Sequence, residues 1–143
     1  MDKQIREKIL RMADNNRDVF VASLDEAGFP NMKAMFNRGH KGLHTFWFST
    51  NTSSIRVAQF EKDSRASIYL LDALGMHGVM FVGTMKVCHD DETRRAIWKP
   101  GDKKYYPQGV TDPDYSVLEF TALHGNYYHG LTKLLFGINE IDA

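Results

Sequence analysis

A cluster of small polar side chains just ahead of a predicted helix is the part of the sequence best suited to chemistry. Residues 49–54 read Ser-Thr-Asn-Thr-Ser-Ser, and a cation, Arg56, follows two positions later. The first N–H groups of a helix have no partner within the helix and lie at the positive end of its dipole. Hydroxyl groups and a cation gathered at that point form an anion site, so the segment suits a phosphate group.

A plain structural explanation competes with this one. Ser, Thr and Asn side chains often serve only to cap a helix, and an exposed arginine often contributes little beyond a solvated charge. Taken alone, residues 49–56 favour this second explanation, with Thr50 or Asn51 as the expected N-cap.

The elements on either side of the cluster are a strand and a helix. Residues 43–49 are rich in aromatic and β-branched side chains, which is typical of a strand. From Ile55 onward, apolar residues recur on one side of a helix: Ile55, Val57, Ala58 and Phe60.

The rest of the chain reads as short strands with single helices inserted between them. We predict helices over residues 2–16 and 90–98, and strands over the following stretches: 18–24, 31–36, 43–49, 65–71, 78–87 and 115–123. Residues 37–42 read as a turn, and residues 99–114 as mostly irregular. Residues 126–128 continue or follow the last strand, and the tail 131–143 is either a final strand or a packing segment.

Gly83, in the middle of a long strand, indicates a bulge or a bend of the kind that a small closed barrel requires. Strands at short spacing with singly inserted helices favour an antiparallel barrel over a doubly wound sheet. We therefore expect a mainly β or α+β protein, with residues 1–143 forming a single domain.

Composition excludes several classes of function. Eighteen Lys and Arg balance eighteen Asp and Glu, and no basic tract alternates with aromatic residues, so a nucleic-acid surface is not expected. One cysteine, Cys88, cannot form an internal disulfide, and the six histidines are scattered, so we expect no metal site. The sequence has no signal-peptide pattern and no apolar run long enough to span a bilayer, which predicts a cytoplasmic protein away from membranes.

The order of several segments resembles the FMN-binding split-barrel family, that is, the pyridoxamine 5′-phosphate oxidase-like proteins and within them the general stress protein-like branch. The segments are residues 21–36, 46–60, 63–72, 81–98 and 103–120. The most specific of them are WFSTNTSSIR and, later, VGTMKV. The resemblance implies a six-stranded antiparallel split β-barrel with peripheral helices.

The same resemblance implies where FMN would bind. Its phosphate would be held by Ser49, Thr50, Ser54 and Arg56, with Lys33 as a further cation. Met35 and Phe36 would lie along the edge of the flavin ring, with Phe48 beside it. In such proteins the flavin lies between two subunits, which implies a homodimer in which three aromatic residues close the pocket from the partner chain: Trp98, Tyr105 and Tyr106.

The implied function is that of an FMN-dependent oxidoreductase exchanging electrons with an unidentified small molecule. The sequence offers no acid–base pair and no nucleophile, so the flavin itself would carry the chemistry and no catalytic side chain is assigned. The substrate signatures of a true pyridoxamine phosphate oxidase are not evident, and that specific activity is not expected. The alternatives are a non-catalytic module for flavin binding, storage or sensing and, ranked last for want of an axial ligand, a haem-binding barrel.

Overall fold

The longest strand, β6 (Tyr115–His129), is the element on which the sheet closes. The structure is a computed structural model that describes residues 1–142. Its other strands are β1 (Asp18–Leu24), β2 (Pro30–Lys41), β3 (Thr45–Asn51), β4 (Arg65–Asp72), β5 (His77–Cys88) and β7 (Thr132–Gly137). The sheet order is β3-β2-β1-β4-β5-β6-β7, and β3 also pairs with β6. All the pairs are antiparallel, so β1 to β6 form a closed barrel and β7 adds to its side.

Helices flank the barrel. They are α1 (Lys3–Asn15), α2 (Ile55–Lys62), α3 (Asp91–Ile97) and α4 (Ile138–Asp142), and two short 3-10 turns span Pro100–Lys104 and Gly109–Thr111. Six antiparallel strands in a closed barrel with helices around it confirm the expected six-stranded antiparallel barrel with peripheral helices. No helix within residues 1–142 is both long and apolar enough to cross a membrane.

Aromatic side chains fill the barrel interior. The ring of Phe46 lies 5.3 Å from that of Phe81 and 6.4 Å from that of Phe120, measured between ring centres, and all three are buried. Ile9, Met12 and Ala13, the apolar positions of α1, are also buried. This burial matches the helical spacing of apolar residues at the start of the sequence.

Two predicted boundaries were wrong. The expected turn at residues 37–42 belongs to β2, which continues to Lys41 and pairs with β3 beyond a bulge at Arg38. Thr50 and Asn51 do not cap α2, because β3 continues pairing with β6 as far as Asn51. The cap is Ser54, whose Oγ accepts a hydrogen bond from the Val57 amide at 3.3 Å.

The tail left open by the sequence forms β7 and then α4. The segment 126–128 lies within β6. Ala143, the last residue of the predicted single domain, lies outside the described residues.

Candidate functional site

A cleft of ≈ 430 Å³ lies where β2 and β3 separate. Their ladder ends at the pair Asn37 and Phe48. Beyond that pair, β2 continues alongside β1 while β3 continues alongside β6. The cleft is lined by Arg17, residues 33–38 of β2, residues 49–51 of β3, and by Asp102, Tyr105 and Tyr106.

The separation leaves one edge of each strand without a neighbouring strand. From Lys33 to Phe36, β2 pairs with β1 alone, and from Ser49 to Asn51, β3 pairs with β6 alone. Backbone N–H and C=O groups on an open strand edge require partners. A flat ring with its own donors and acceptors at the rim would supply them.

The cleft carries a surplus of positive charge. Arg17, Lys33 and Arg38 line it, and Asp102 supplies the one carboxylate among the described lining residues. Asp102 is already committed, since its Oδ2 accepts from Arg38 Nη2 at 2.6 Å in a pair whose side chains are only 8% and 12% exposed. Arg17 and Lys33 join no ion pair within the described residues and remain available to an anion.

The bulge in β2 explains how Arg38 reaches its partner. Asn37 pairs with Phe48 and Gly39 with Trp47, so Arg38 is the extra residue between them. A bulge re-aims the side chain of the extra residue. Arg38 thereby contacts the segment that follows α3 and donates also to the carbonyl oxygen of Ile97 at 3.4 Å.

Tyr105 and Tyr106 line the cleft of their own chain, whereas the resemblance implied that they would close the pocket from the partner chain. The exposed ring of Tyr105 lies 6.2 Å from that of Phe36. Tyr106 is buried, and its ring lies 5.1 Å from that of Tyr115. Burial, with the nearby carboxylates of Asp114 and Asp102, raises the pKa of Tyr106 to about 12, so its hydroxyl stays protonated at neutral pH.

Seven of the eleven residues expected to bind the cofactor line this one cleft: Lys33, Met35, Phe36, Ser49, Thr50, Tyr105 and Tyr106. The other four do not line it. Phe48 is fully buried in the core, and Trp98 packs behind Tyr106 with its ring 6.3 Å away. Ser54 uses its hydroxyl to cap α2.

The fourth residue, Arg56, lies in the first turn of α2. Its Nε is buried and has no hydrogen-bond partner within the described part of the chain. A buried donor without an acceptor is costly. Protein atoms cover this nitrogen, and the Nε atoms of Arg38 and Arg94 are in the same state, so it does not place Arg56 at a phosphate site in the cleft.

Sequence reasoning missed Arg17, Arg38 and Asp102. Arg17 is placed by the hydrogen bond from the Asn37 amide to its carbonyl oxygen, at 2.9 Å. Its guanidinium lies 5.3 Å from the centre of the Phe36 ring. Arg38 and Asp102 are 64 positions apart, and no local signal joins them.

No group of three or more His, Cys, Asp or Glu side chains within the described chain is arranged to hold a metal ion.

Comparison with known proteins identifies the family. The model of the pyridoxamine 5′-phosphate oxidase family matches residues 2–129, most of the chain. The chain belongs to this family. The expected resemblance is thus confirmed, and the family's barrel is the one described above.

Solved structures agree. A protein from Clostridium acetobutylicum, related to general stress protein 26 of Bacillus subtilis and described as of the pyridoxinephosphate oxidase family, is 38% identical, with a TM-score of 0.92 over 99% of both chains. General stress protein 26 from Bacillus anthracis shares 16% identity at a TM-score of 0.76, over 93% of this chain and 99% of its own. A heme binding protein from Mycobacterium smegmatis shares 18% identity at a TM-score of 0.75, over 96% of this chain and 59% of its own.

The last two similarities concern the fold alone. Among curated proteins, no match to this chain was found.

Proposed function

We propose that this chain is an FMN-binding flavoprotein, an oxidoreductase that acts on an unidentified small molecule. The observation that carries the proposal is the cleft between β2 and β3, which combines an open strand edge with uncommitted cations. Membership of the pyridoxamine 5′-phosphate oxidase family supports a flavin as the ligand.

The residues present suit the two ends of FMN. Ser49 and Thr50 at the end of β3 line the cleft and offer hydroxyl groups. Together with the cation of Lys33, they match a phosphate dianion. The open edge of β2 would receive the flavin ring.

When bound, FMN would supply the transfer of electrons or hydride, and the protein would supply binding and orientation. Residues 33–36 would orient the ring edge, and Tyr105 and Tyr106 would shield one side from water. The protonated hydroxyl of Tyr106 would serve as a hydrogen-bond donor in the cleft.

The decisive experiment is an absorption spectrum of the purified protein followed by titration of the flavin-free protein with FMN. Lys33→Ala should weaken FMN binding about ten-fold or more, because a hydrogen bond to a charged group contributes about 1.5–3 kcal/mol. Lys133→Ala, on the exposed face of β7, is the matched control and should bind FMN like the wild type. A colourless protein that FMN does not titrate would overturn the proposal.

A non-catalytic flavin-binding, storage or sensing module is the alternative that the cleft itself favours. Its described lining contains no histidine, cysteine or glutamate, and Asp102 is tied to Arg38. Stopped-flow mixing of the FMN-loaded protein with NADH or NADPH separates the two proposals. Rapid bleaching of the flavin supports an oxidoreductase, and an unchanged flavin spectrum supports the module.

Haem is a second alternative ligand, because a barrel of the same fold is described as a heme binding protein. No histidine is among the described residues that line the cleft, so an axial ligand of the common kind is missing there. We therefore expect titration with hemin to give no sharp Soret band.

We further propose that the protein works as a homodimer with the flavin sites at the interface. Ala34 lines the cleft and pairs across the sheet with Phe20, which is exposed on the outer face of the barrel. The apolar outer face is therefore continuous with the cleft, so that a second copy covering this face would also reach the flavin.

A further inference from the structure

A second groove lies on the other side of Arg17 from the cleft. It has a volume of ≈ 710 Å³ and runs between the end of α1, with residues 16–18, and the β4–β5 hairpin at residues 71–77. Its size is within the range of small-molecule sites. Neither the resemblance nor the proposed flavin site assigns it a role.

The groove is rich in uncommitted cations. Lys8 and Arg11 from α1 and Arg17 before β1 all line it, and none forms an ion pair within the described residues. Two carboxylates, Asp18 and Asp72, face the same space. Three cations against two anions leave a net positive charge.

One of the two carboxylates is partly engaged, because Asp72 Oδ1 accepts a hydrogen bond from the Gly75 amide at 3.1 Å. The amide of Asn16 is likewise committed. Its Oδ1 accepts from the Leu71 amide at 3.1 Å, and its Nδ2 donates to the Met12 carbonyl at 2.8 Å. Lys8, Arg11 and Arg17 therefore keep donors to spare, and the exposed side chain of Asn15 lines the same space.

Apolar surface lies beside the cations. Leu71 is exposed, and Leu74 at the tip of the hairpin is fully exposed. The contact of an exposed leucine side chain with water is unfavourable, so a ligand that buries Leu74 would gain binding free energy from that burial. Cations next to exposed leucines favour a ligand that is both anionic and apolar.

His77 completes the groove without adding charge. Its Nδ1 shares a hydrogen bond with the hydroxyl of Tyr127, and its ring stacks on that of His129 with centres 4.0 Å apart. Burial lowers the pKa of His77, and the neighbouring His129 and Lys8 lower it further, while Asp72 opposes them. The imidazole is therefore neutral at neutral pH.

Arg17 connects the groove to the cleft. It lines both spaces, and its guanidinium lies over the Phe36 ring, a wall of the cleft. An anionic group held by Arg17 would therefore lie at the border between the groove and the cleft.

We propose that this groove binds the anionic end of an apolar organic acid and that such acids are the substrate class of the protein. The second half of this statement rests on the proposed flavin site. The first half rests on Lys8 and Arg11, which do not line the cleft, together with Arg17, which lines both spaces.

The test uses a charged probe and its neutral counterpart. Calorimetric titration of the full chain with 2-naphthalenesulfonate should show binding, whereas 2-naphthol should bind much more weakly. Arg11→Gln should weaken sulfonate binding roughly ten-fold through the loss of a charge-assisted contact. Arg11 is exposed on α1, so this variant should fold, and Lys133→Gln on β7 is the matched control.

A second measurement separates the groove from the flavin site. In the FMN-loaded protein, 2-naphthalenesulfonate should perturb the flavin absorption band, and Arg11→Gln should raise the sulfonate concentration needed for half of this perturbation roughly ten-fold while leaving FMN affinity unchanged. Sulfonate binding without any perturbation would overturn the substrate assignment. Equal affinity for the sulfonate and for 2-naphthol, or an unchanged affinity of Arg11→Gln for the sulfonate, would overturn the assignment of the groove as an anion-binding site. Failure of FMN to bind, with sulfonate binding intact, would count against the flavin site alone.

Discussion

At the scale of single residues, Arg38 and Asp102 hold the cleft together. Asp102 Oδ2 accepts from the Lys99 amide at 2.9 Å as well as from Arg38, and it is buried at the start of the segment that carries Tyr105 and Tyr106. Removing one member of a buried ion pair leaves the charge of the other buried without a partner. The aromatic wall of the cleft therefore depends on this pair.

Asp102→Ala should lower the free energy of unfolding by about 3 kcal/mol, because Arg38 would stay buried without its partner. Urea denaturation followed by fluorescence measures the change. The matched control is Glu26→Ala, whose carboxylate lies 2.6 Å from Lys62 Nζ in a pair whose side chains are 82% and 70% exposed. A surface pair of this kind contributes about 0–1 kcal/mol, so equal losses in the two variants would contradict the assignment.

Buried tyrosines predict a loss of stability at alkaline pH. Burial raises the pKa of Tyr106 and of Tyr115 from 10.0 to about 12 each. A group whose pKa is higher in the folded state binds its proton more tightly there. Its stabilising contribution is complete below the unfolded pKa and is lost as pH rises through the folded pKa. For these two hydroxyls the window of loss is therefore pH 10 to 12.

Tyr106→Phe should flatten this alkaline decline, since each such tyrosine accounts for about 2–3 kcal/mol across the window. The measurement is the urea midpoint below about pH 9 and again near pH 11. Tyr105→Phe, which removes an exposed hydroxyl from the same segment, is the control. A decline as steep in Tyr106→Phe as in the wild type would refute the role of this residue.

The residues that sequence reasoning found and missed differ in how they are brought together. Ser49 and Thr50 are sequence neighbours at one strand end, and the family resemblance drew in Lys33 from the neighbouring strand. Arg38 lines the cleft because of the bulge in β2 and its ion pair with Asp102, which is 64 positions away in the sequence. Neither the composition nor the periodicity of the sequence predicts such a pair.

At the scale of elements, the β5–β6 pairing requires a glycine at position 83. The register shifts between Val82 and Gly83, where Leu123 is the extra residue on β6. A Cβ on Gly83 would overlap the backbone carbonyl oxygen of Thr121. The bulge or bend expected at Gly83 is therefore confirmed, and its cause is close approach of the two strands.

Gly83→Ala should destabilise the fold by about 2–4 kcal/mol, because β5 and β6 must move apart to admit the methyl group. Thermal unfolding monitored by circular dichroism provides the measurement. Gly101→Ala is a matched control, since a Cβ at that position meets nothing within 4 Å. Comparable melting temperatures for Gly83→Ala and the wild type would show that the strands can separate at little cost.

Element boundaries were predictable where a pattern is local and wrong where tertiary pairing overrides it. The apolar spacing of α1 and the glycine of β5 are local signals, and both were interpreted correctly. The turn residues Asn37 and Gly39 and the capping residues Thr50 and Asn51 instead lie in strands. In each case a partner strand supplies hydrogen bonds that the local sequence does not reveal.

At the scale of the whole molecule, strand number and the absence of regular β–α alternation predicted an antiparallel barrel. The closure between β3 and β6 joins residues about seventy positions apart, such as Thr45 and Thr121, and no sequence pattern predicts that pair. The position of the cleft depends on this closure, because β3 stays paired with β6 as far as Asn51 whereas its pairing with β2 ends at Phe48.

The outer face of β1 and β2 is the surface that we propose a second copy of the chain covers. Phe20 and Met32 are 39% and 66% exposed, and Ala22 and Ala34 pair with them across the two strands. The chain has no net charge to oppose self-association. Since this face is continuous with the cleft through Ala34, association and flavin binding should depend on the same surface.

Met32→Glu should therefore convert a dimer into a monomer and weaken FMN binding at the same time, because it places a charge in an interface that excludes water. Sedimentation equilibrium gives the mass, and FMN titration gives the affinity. Leu131→Glu is the matched control, since Leu131 is fully exposed at the β6–β7 turn, away from the cleft. If Met32→Glu lost FMN binding yet remained dimeric, the second copy would have to sit elsewhere. A wild-type chain that sediments as a monomer while binding FMN fully would show instead that one barrel completes the site alone.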